Sequence, residues 1–250
     1  MNTAASSHRL CMRILVSTGL LLALAVSIPG GTQPLQERWS YAASAGDPAH
    51  GRQLVETSCA ACHGARGNSP NGLYPKLAGQ DPAYLVEQMW AFRSGVRRSD
   101  VMGGVVSSMS ETDANDIASY LSRQTVQPDP VTNREVADAG ARIYFKGGGP
   151  GGAPACAMCH RSPAADGRSG MMGGMSMMGM MGGGMMGRGM MGSGSTRPVP
   201  ILDGQHARYV VDQLHRYATA QRYDPIMGPL AAAMSEADMK AVAEYVSSIR

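Results

Sequence analysis

The chain has 250 residues, enough for one large domain or two small ones, and a formal net charge of +3. From Gly46 onward 19 basic residues face 18 acidic ones, which excludes a charge-driven partner such as nucleic acid or an acidic membrane surface. Two Phe and two Trp against 32 Gly and 20 Met leave few bulky side chains for two ordinary hydrophobic cores, so a non-protein filler is expected.

The N-terminus reads as an export signal. Arg9 and Arg13 precede an uncharged, mostly apolar run of 15 residues from Ile14 to Ile28, ended by Pro29, Gly30 and Gly31. That run is shorter than the roughly 20 residues of a membrane-spanning helix. Ala43-Ser44-Ala45 before Gly46 has the form of a cleavage site but lies far from the apolar run. Two readings therefore stand for residues 1–45: a cleaved signal peptide or an N-terminal membrane anchor. Either one expects a periplasmic protein.

An internal repeat organises the rest. Pro75-Lys76-Leu77-Ala78-Gly79-Gln80 matches Pro200-Ile201-Leu202-Asp203-Gly204-Gln205 at a spacing of 125 residues. At the same spacing Tyr84, Gln88 and Phe92 match Tyr209, Gln213 and Tyr217, Met102 matches Met227, and Met109-Ser110-Glu111 matches Met234-Ser235-Glu236. The match continues to Tyr120 over Tyr245. The chain thus divides into a first domain at 46–126, a linker at 127–133 and a second domain at 134–250. The Cys pairs repeat at 97 instead, so the second copy holds 28 extra residues. Most are a tract at 168–195 of Met, Gly and Ser with eleven Met; a smaller Gly-rich insert, Gly147 to Gly152, precedes the second Cys pair.

In chain order, Asp47 and Pro48 open a helix over Asp47 to Ser58 as cap and first turn. Asp81-Pro82 opens the next, where Tyr84, Leu85, Gln88, Met89 and Phe92 recur at helical spacing. Ser110-Glu111-Thr112-Asp113 is a serine cap with an acid three residues later, opening a helix to about Arg123, and Ser235 to Asp238 repeats it. The Pro-rich stretch Gln127 to Thr132 is the linker. No alternating strand pattern competes, so the class is all-α.

Cys59-Ala60-Ala61-Cys62-His63 and Cys156-Ala157-Met158-Cys159-His160 are both C-x-x-C-H, the haem-attachment pattern, and use every Cys outside the signal. Two thiols on one turn reach the two vinyl groups of one porphyrin, and the adjacent imidazole then faces the iron. A thioredoxin-like dithiol would not require the His, and a zinc site would need a fourth ligand in each copy.

C-x-x-C-H-G, then P-K-L-A-G-Q, then Y-L-x-x-Q and F-R-x-G, then a Met, then S-E-x-D before Tyr120 resembles the class I cytochromes c. The doubled version resembles the dihaem cytochrome c4 type over about residues 47–250 apart from the inserts. The resemblance implies two tandem helical domains, each around a covalently attached haem c held by Cys59 and Cys62 or by Cys156 and Cys159. It implies His63 and Met102 as iron ligands in the first domain and His160 and Met227 in the second. Pro75 and Pro200 would supply the carbonyl that accepts a bond from each ligand His and fixes its orientation. Met109 and Met234 also repeat, as rivals whose place before the serine cap favours packing. Arg161 departs from the family where Gly64 follows the first motif. The haem plate supplies the missing core, with Tyr84, Leu85, Met89 and Phe92 around it.

His50, His206 and His215 are open to ligation; His206 and His215 have no His counterpart in the first copy and read as surface or capping residues. The repeated Tyr and Gln of the middle helix read as core or interdomain contacts, and Arg97 and Arg222 either meet haem propionates or stay solvated. The Met-rich tract reads as a flexible low-complexity loop, a Cu(I) site built of soft thioethers, or a surface for docking an apolar partner.

The function expected is an electron carrier in a periplasmic respiratory chain, one electron per His/Met-ligated haem, and not an enzyme. Alternatives are a dihaem redox enzyme or the electron-accepting subunit of a dehydrogenase. By resemblance, donors would be a quinol-cytochrome c reductase or a dehydrogenase, and the acceptor a haem-copper terminal oxidase.

Overall fold

The structure is a computed structural model and describes residues 38–41, 46–148, 152–160 and 198–250. The unit Met1–Gln36 and the export signal lie outside the described residues, as do the cleavage triplet and the tract 168–195. No helix among the described residues is long and apolar enough to cross a membrane.

Asp47 caps α1 (Pro48–Leu54) by accepting from the Ala49 N–H at 2.8 Å, with Pro48 in the first turn where its missing N–H costs nothing. The helix does not stop at Ser58 as the sequence suggested: one π-helical turn, Val55–Cys59, carries it into α2 (Ala60–His63). α3 (Pro82–Arg93) is capped by Asp81, α4 (Asp100–Val106) by Ser99, and α5 (Glu111–Leu121) by the capping box of Ser110 and Asp113.

The second repeat follows the same plan with α6 (Arg134–Lys146), α7 (Ala157–His160), α8 (Ala207–Ala218), α9 (Met227–Ala232) and α10 (Glu236–Ser248). Where the first repeat runs through its π turn, the second breaks: Gly147 at φ +70° ends α6, and an antiparallel bridge between Gly148 and Ala153 closes the insert before α7. That bridge is the one β pairing among the described residues. The class is all-α.

Two hydrophobic cores result. One gathers Val55, Leu85, Val86, Met89, Val106, Ile117 and Leu121. The other gathers Tyr144, Val210, Leu214, Met239, Val242 and Val246. In each, the N-terminal and C-terminal helices of the repeat, α1 with α5 and α6 with α10, form the main packed pair. A glycine sits at each crossing. A Cβ on Gly51 would lie 2.0 Å from the Asp116 carbonyl oxygen, and one on Gly140 would lie 1.9 Å from that of Ala241. Trp39 and Tyr41 pack against the first core, and the Ser40 N–H donates to Glu111 Oε1 at 2.8 Å.

The two repeats meet along an approximate two-fold relation. Arg97 donates to Tyr209 Oη (2.9 Å) and Gln213 Oε1 (2.7 Å); its counterpart Arg222 donates to Tyr84 Oη (2.8 Å) and Gln88 Oε1 (3.0 Å). Each Arg also bonds the Gln of its own repeat, at 2.7 Å for Gln88 and 2.6 Å for Gln213. The guanidinium groups stack at 4.6 Å over Phe92 and Tyr217 respectively.

Candidate functional site

The end of α2 and the chain after it build the first site. His63 is buried, and its Nδ1 lies 2.9 Å from the Pro75 carbonyl oxygen. A carbonyl only accepts, so Nδ1 carries the hydrogen and Nε2 keeps its lone pair for a metal. Burial pushes the imidazole below its ordinary pKa, against the opposing pull of the Pro75 bond, which favours the neutral ligand form. Ser69 Oγ donates to the Cys62 carbonyl at 2.8 Å and steadies the loop. In the second repeat His160 Nδ1 lies 2.9 Å from the Pro200 carbonyl, and burial again lowers its pKa, partly offset by that bond and by Asp224.

The four thiols, Cys59, Cys62, Cys156 and Cys159, are free. Cys59 packs against the first core together with Met102, and Cys156 against the second with Met227, so each repeat brings its first thiol and its candidate sulfur ligand to one core. Burial pushes the Cys59 thiol up to about 11 and raises that of Cys156. Among the described residues no three His, Cys, Asp or Glu side chains converge on a metal position. Two thiols and an imidazole whose Nδ1 is tied to a carbonyl, leaving Nε2 for a metal, fit a haem c tethered through the thiols and bound at iron by the imidazole.

Met102 and Met227 are held alike. The Met102 N–H donates to Ser99 Oγ at 3.3 Å, and the Met227 N–H to Asp224 Oδ1 at 2.8 Å, one residue type replacing the other at the same repeat position. Met109 and Met234 also pack against the cores, at the turns before the Ser110 and Ser235 caps, where the Met109 carbonyl accepts from Arg93.

Other expectations are redistributed by the structure. Leu85 and Met89 are buried in the first core with Phe92 against it, but Tyr84 turns its hydroxyl to Arg222 of the second repeat. Tyr and Gln of the middle helices do make contacts between the repeats. Arg97 and Arg222 are neither solvated nor free, since they are the centre of that interface.

His206 is not a surface residue and makes no side-chain cap. It is buried, with Nδ1 2.8 Å from Asp129 Oδ2 and Nε2 2.9 Å from the Ser69 carbonyl. The cause is tertiary: the linker brings Asp129 between the repeats, where it also holds the buried Lys76 Nζ at 2.6 Å. His215 pairs with exposed Glu236 at 2.6 Å, as a surface residue should, and His50 pairs with Asp116 at 2.7 Å. The sequence signals missed were the repeated Gln80 and Gln205, legible as a repeat but not as partners.

The Cytochrome c family model matches residues 48–125. The chain is 35% identical over 211 residues to cytochrome c4 of Pseudomonas aeruginosa, covering 82% of this chain and 90% of the relative. It is 30% identical over 197 residues to a thiosulfate dehydrogenase electron acceptor of Thiomonas intermedia, covering 76% and 78%. The crystal structure of reduced recombinant cytochrome c4 from Pseudomonas stutzeri superposes with a TM-score of 0.64 at 30% identity, covering 82% of this chain and all of that one. A helical fold, a repeated thiol-thiol-imidazole motif with its carbonyl-oriented His, and these likenesses agree: the chain belongs to the cytochrome c4 family of dihaem class I cytochromes, electron carriers with covalently bound haem c.

Proposed function

We propose that this chain carries two haems c, one per repeat, with His63 and Met102 on one iron and His160 and Met227 on the other. The domains are proposed at 46–126 and 134–250, joined by 127–133. Haem c, when bound, supplies a one-electron couple at its iron. The protein's part is attachment, orientation and insulation. Cys59 and Cys62, and Cys156 and Cys159, tether each group. His63 and His160 are each turned by one proline carbonyl so that Nε2 is the free nitrogen. The carrying observation is that this arrangement occurs twice, at the same 2.9 Å, across a 28-residue difference in chain length.

Met ligation raises the potential relative to two imidazoles and suits electron transfer late in respiration. If His63 and Met102 hold one iron and His160 and Met227 the other, no position would be left for a substrate, which supports a carrier over an enzyme. Localisation in the periplasm, by cleavage after the signal or by an N-terminal anchor, belongs to the same reading. For partners we propose a periplasmic dehydrogenase or a quinol-cytochrome c reductase as donor and a terminal oxidase as acceptor. The dehydrogenase is favoured by the likeness to two thiosulfate dehydrogenase electron acceptors. Cu(I) binding by the thioethers of 168–195 is a separate, additional reading resting on its paired Met residues; unchanged copper content on deleting the tract would refute it.

The test is the oxidised spectrum of the haem-loaded protein, quantifying the near-infrared band of Met-ligated ferric haem. Two haems' worth of band, halved by Met102→Ala or Met227→Ala alone and abolished by both together, is expected. A band for one haem, or a high-spin component, would favour an enzyme with an open iron.

A further inference from the structure

Two of the contacts between the repeats are made on backbone, at Lys76 and at Ile201. Gln205, buried in the second repeat, makes two bonds with Lys76 of the first: its Oε1 accepts from the Lys76 N–H at 2.9 Å and its Nε2 donates to the Lys76 carbonyl at 2.9 Å. Gln80, equally buried, does the same to Ile201, accepting from its N–H at 2.8 Å and donating to its carbonyl at 2.9 Å. The remaining bond of each Oε1 is local: Gln205 also accepts from the His206 N–H, and Gln80 from the Asp81 N–H, both at 3.0 Å.

Lys76 follows Pro75, and Ile201 follows Pro200. The Lys76 N–H therefore belongs to the same planar peptide group as the Pro75 carbonyl that accepts from His63 Nδ1. Likewise the Ile201 N–H shares a peptide with the Pro200 carbonyl that accepts from His160 Nδ1. Two relays result: His63 to peptide 75–76 to Gln205, and His160 to peptide 200–201 to Gln80. Each begins in one repeat and ends in the other.

We propose that Gln205 and Gln80 are positioning residues that tune the iron ligand of the opposite repeat, Gln205 acting on His63 and Gln80 on His160. This rests on the ligand assignment proposed above. The physical basis is polarisation along a hydrogen-bond chain. An acceptor on a peptide N–H increases electron density on its carbonyl oxygen, which then draws the imidazole N–H more strongly. A more strongly bonded Nδ1–H makes the ring a better donor to the metal and favours the ferric state. Each repeat thereby lowers the potential of the other's haem. The second bond of each glutamine, to the Lys76 or Ile201 carbonyl, falls on the following peptide, so each glutamine clasps both backbone polar groups of the residue after the proline and holds that residue in place.

The experiment uses the full-length, haem-loaded protein with Gln205→Met, which keeps side-chain length and removes both bonds to Lys76. Two readouts are taken in each form: the His Nδ1–H proton resonances of the ferrous protein, assigned to each repeat, and the potential of each haem by spectroelectrochemistry. The expected result is an upfield shift of the His63 Nδ1–H with a higher potential for the haem on Cys59 and Cys62, the other haem staying in place. Gln205→Glu, which restores an acceptor for the Lys76 N–H, should return both readouts to the wild-type values or beyond them. Gln80→Met should act on His160 and the haem on Cys156 and Cys159 alone, and it carries the test if Gln205→Met fails to fold. Equal movement of both haems, or a lower unfolding midpoint with both potentials and both resonances unchanged, would overturn the proposal and leave the glutamines as a simple lock between the repeats. A wild-type protein whose haems lack His/Met spectra would overturn the ligand assignment instead, and that is read before any glutamine variant is made.

Discussion

Gly140→Ala sets two physical effects against each other. Intrinsic propensity predicts that replacing a mid-helix Gly with Ala stabilises α6 by about 1 kcal/mol. The crossing predicts the opposite. The new Cβ would stand 1.9 Å from the Ala241 carbonyl oxygen, 2.5 Å from its carbon and 2.9 Å from the Tyr245 Cβ. Two of these atoms are backbone, so no rotamer change relieves the clash, and α6 and α10 must separate by roughly 1 Å to restore ordinary contact. Separation opens space around Tyr144, Val242 and Val246, which are 1%, 4% and 0% exposed. Overpacking of this kind costs on the order of 3 kcal/mol, so the net effect expected is a loss of about 2 kcal/mol. For a chain of this size that corresponds to a fall in Tm of roughly 4–8 °C. The assay is reversible guanidinium unfolding of the haem-loaded protein, followed by far-UV circular dichroism and by the haem absorbance. Gly51→Ala should behave alike at the α1–α5 crossing, where the Asp116 carbonyl stands 2.0 Å away. A Gly140→Ala protein as stable as the wild type, or more so, would show that helix propensity wins and that the close crossing is not a constraint.

Three further outcomes are expected. Ser110→Ala and Ser235→Ala each remove a capping box and should lower stability by about 1 kcal/mol, read from the same unfolding midpoints. Arg222→Leu strips the donor from the Tyr84 hydroxyl and from both middle-helix glutamines, and hydrogen bonds to a charged group are worth about 1.5–3 kcal/mol each. Unfolding should then separate into two transitions, because the repeats lose a main tie while each core stays intact; a single unshifted transition would refute this. His50 has its pKa raised above 6.5, chiefly by the hydrogen bond to Asp116 with burial opposing. A raised folded-state value gives stability that is complete below pH 6.5 and is lost as pH climbs through the folded pKa. The midpoint difference between wild type and His50→Gln should accordingly be flat below pH 6 and shrink above it; a difference growing with pH would contradict the pairing.

Much of the site was legible in the sequence because its chemistry is local. The order Cys59, Cys62, His63 fits within one turn of helix, so spacing alone states which side chains share a face. The same holds for the Asp81, Ser110 and Ser235 caps, whose bonds reach only three residues along the chain. The repeat at 125 residues, the all-α class and the two-haem expectation came from the same short-range patterns. What the pattern could not state was anything that depends on two segments far apart meeting. His206 reads as a surface histidine until the linker places Asp129 beside it, 77 residues away in sequence. The break of α6 at Gly147 follows the local Gly-rich insert, whereas the continuation of α1 through a π turn into α2 was not legible in the sequence. Gln80 and Gln205 are matching letters in the sequence, but the bonds that give them a role cross 121 and 129 residues of chain. Periodicity along one segment determined what each repeat is; the docking of one repeat on the other, through complementary hydrogen bonding across their shared face, decided which residues of one repeat bond the backbone of the other.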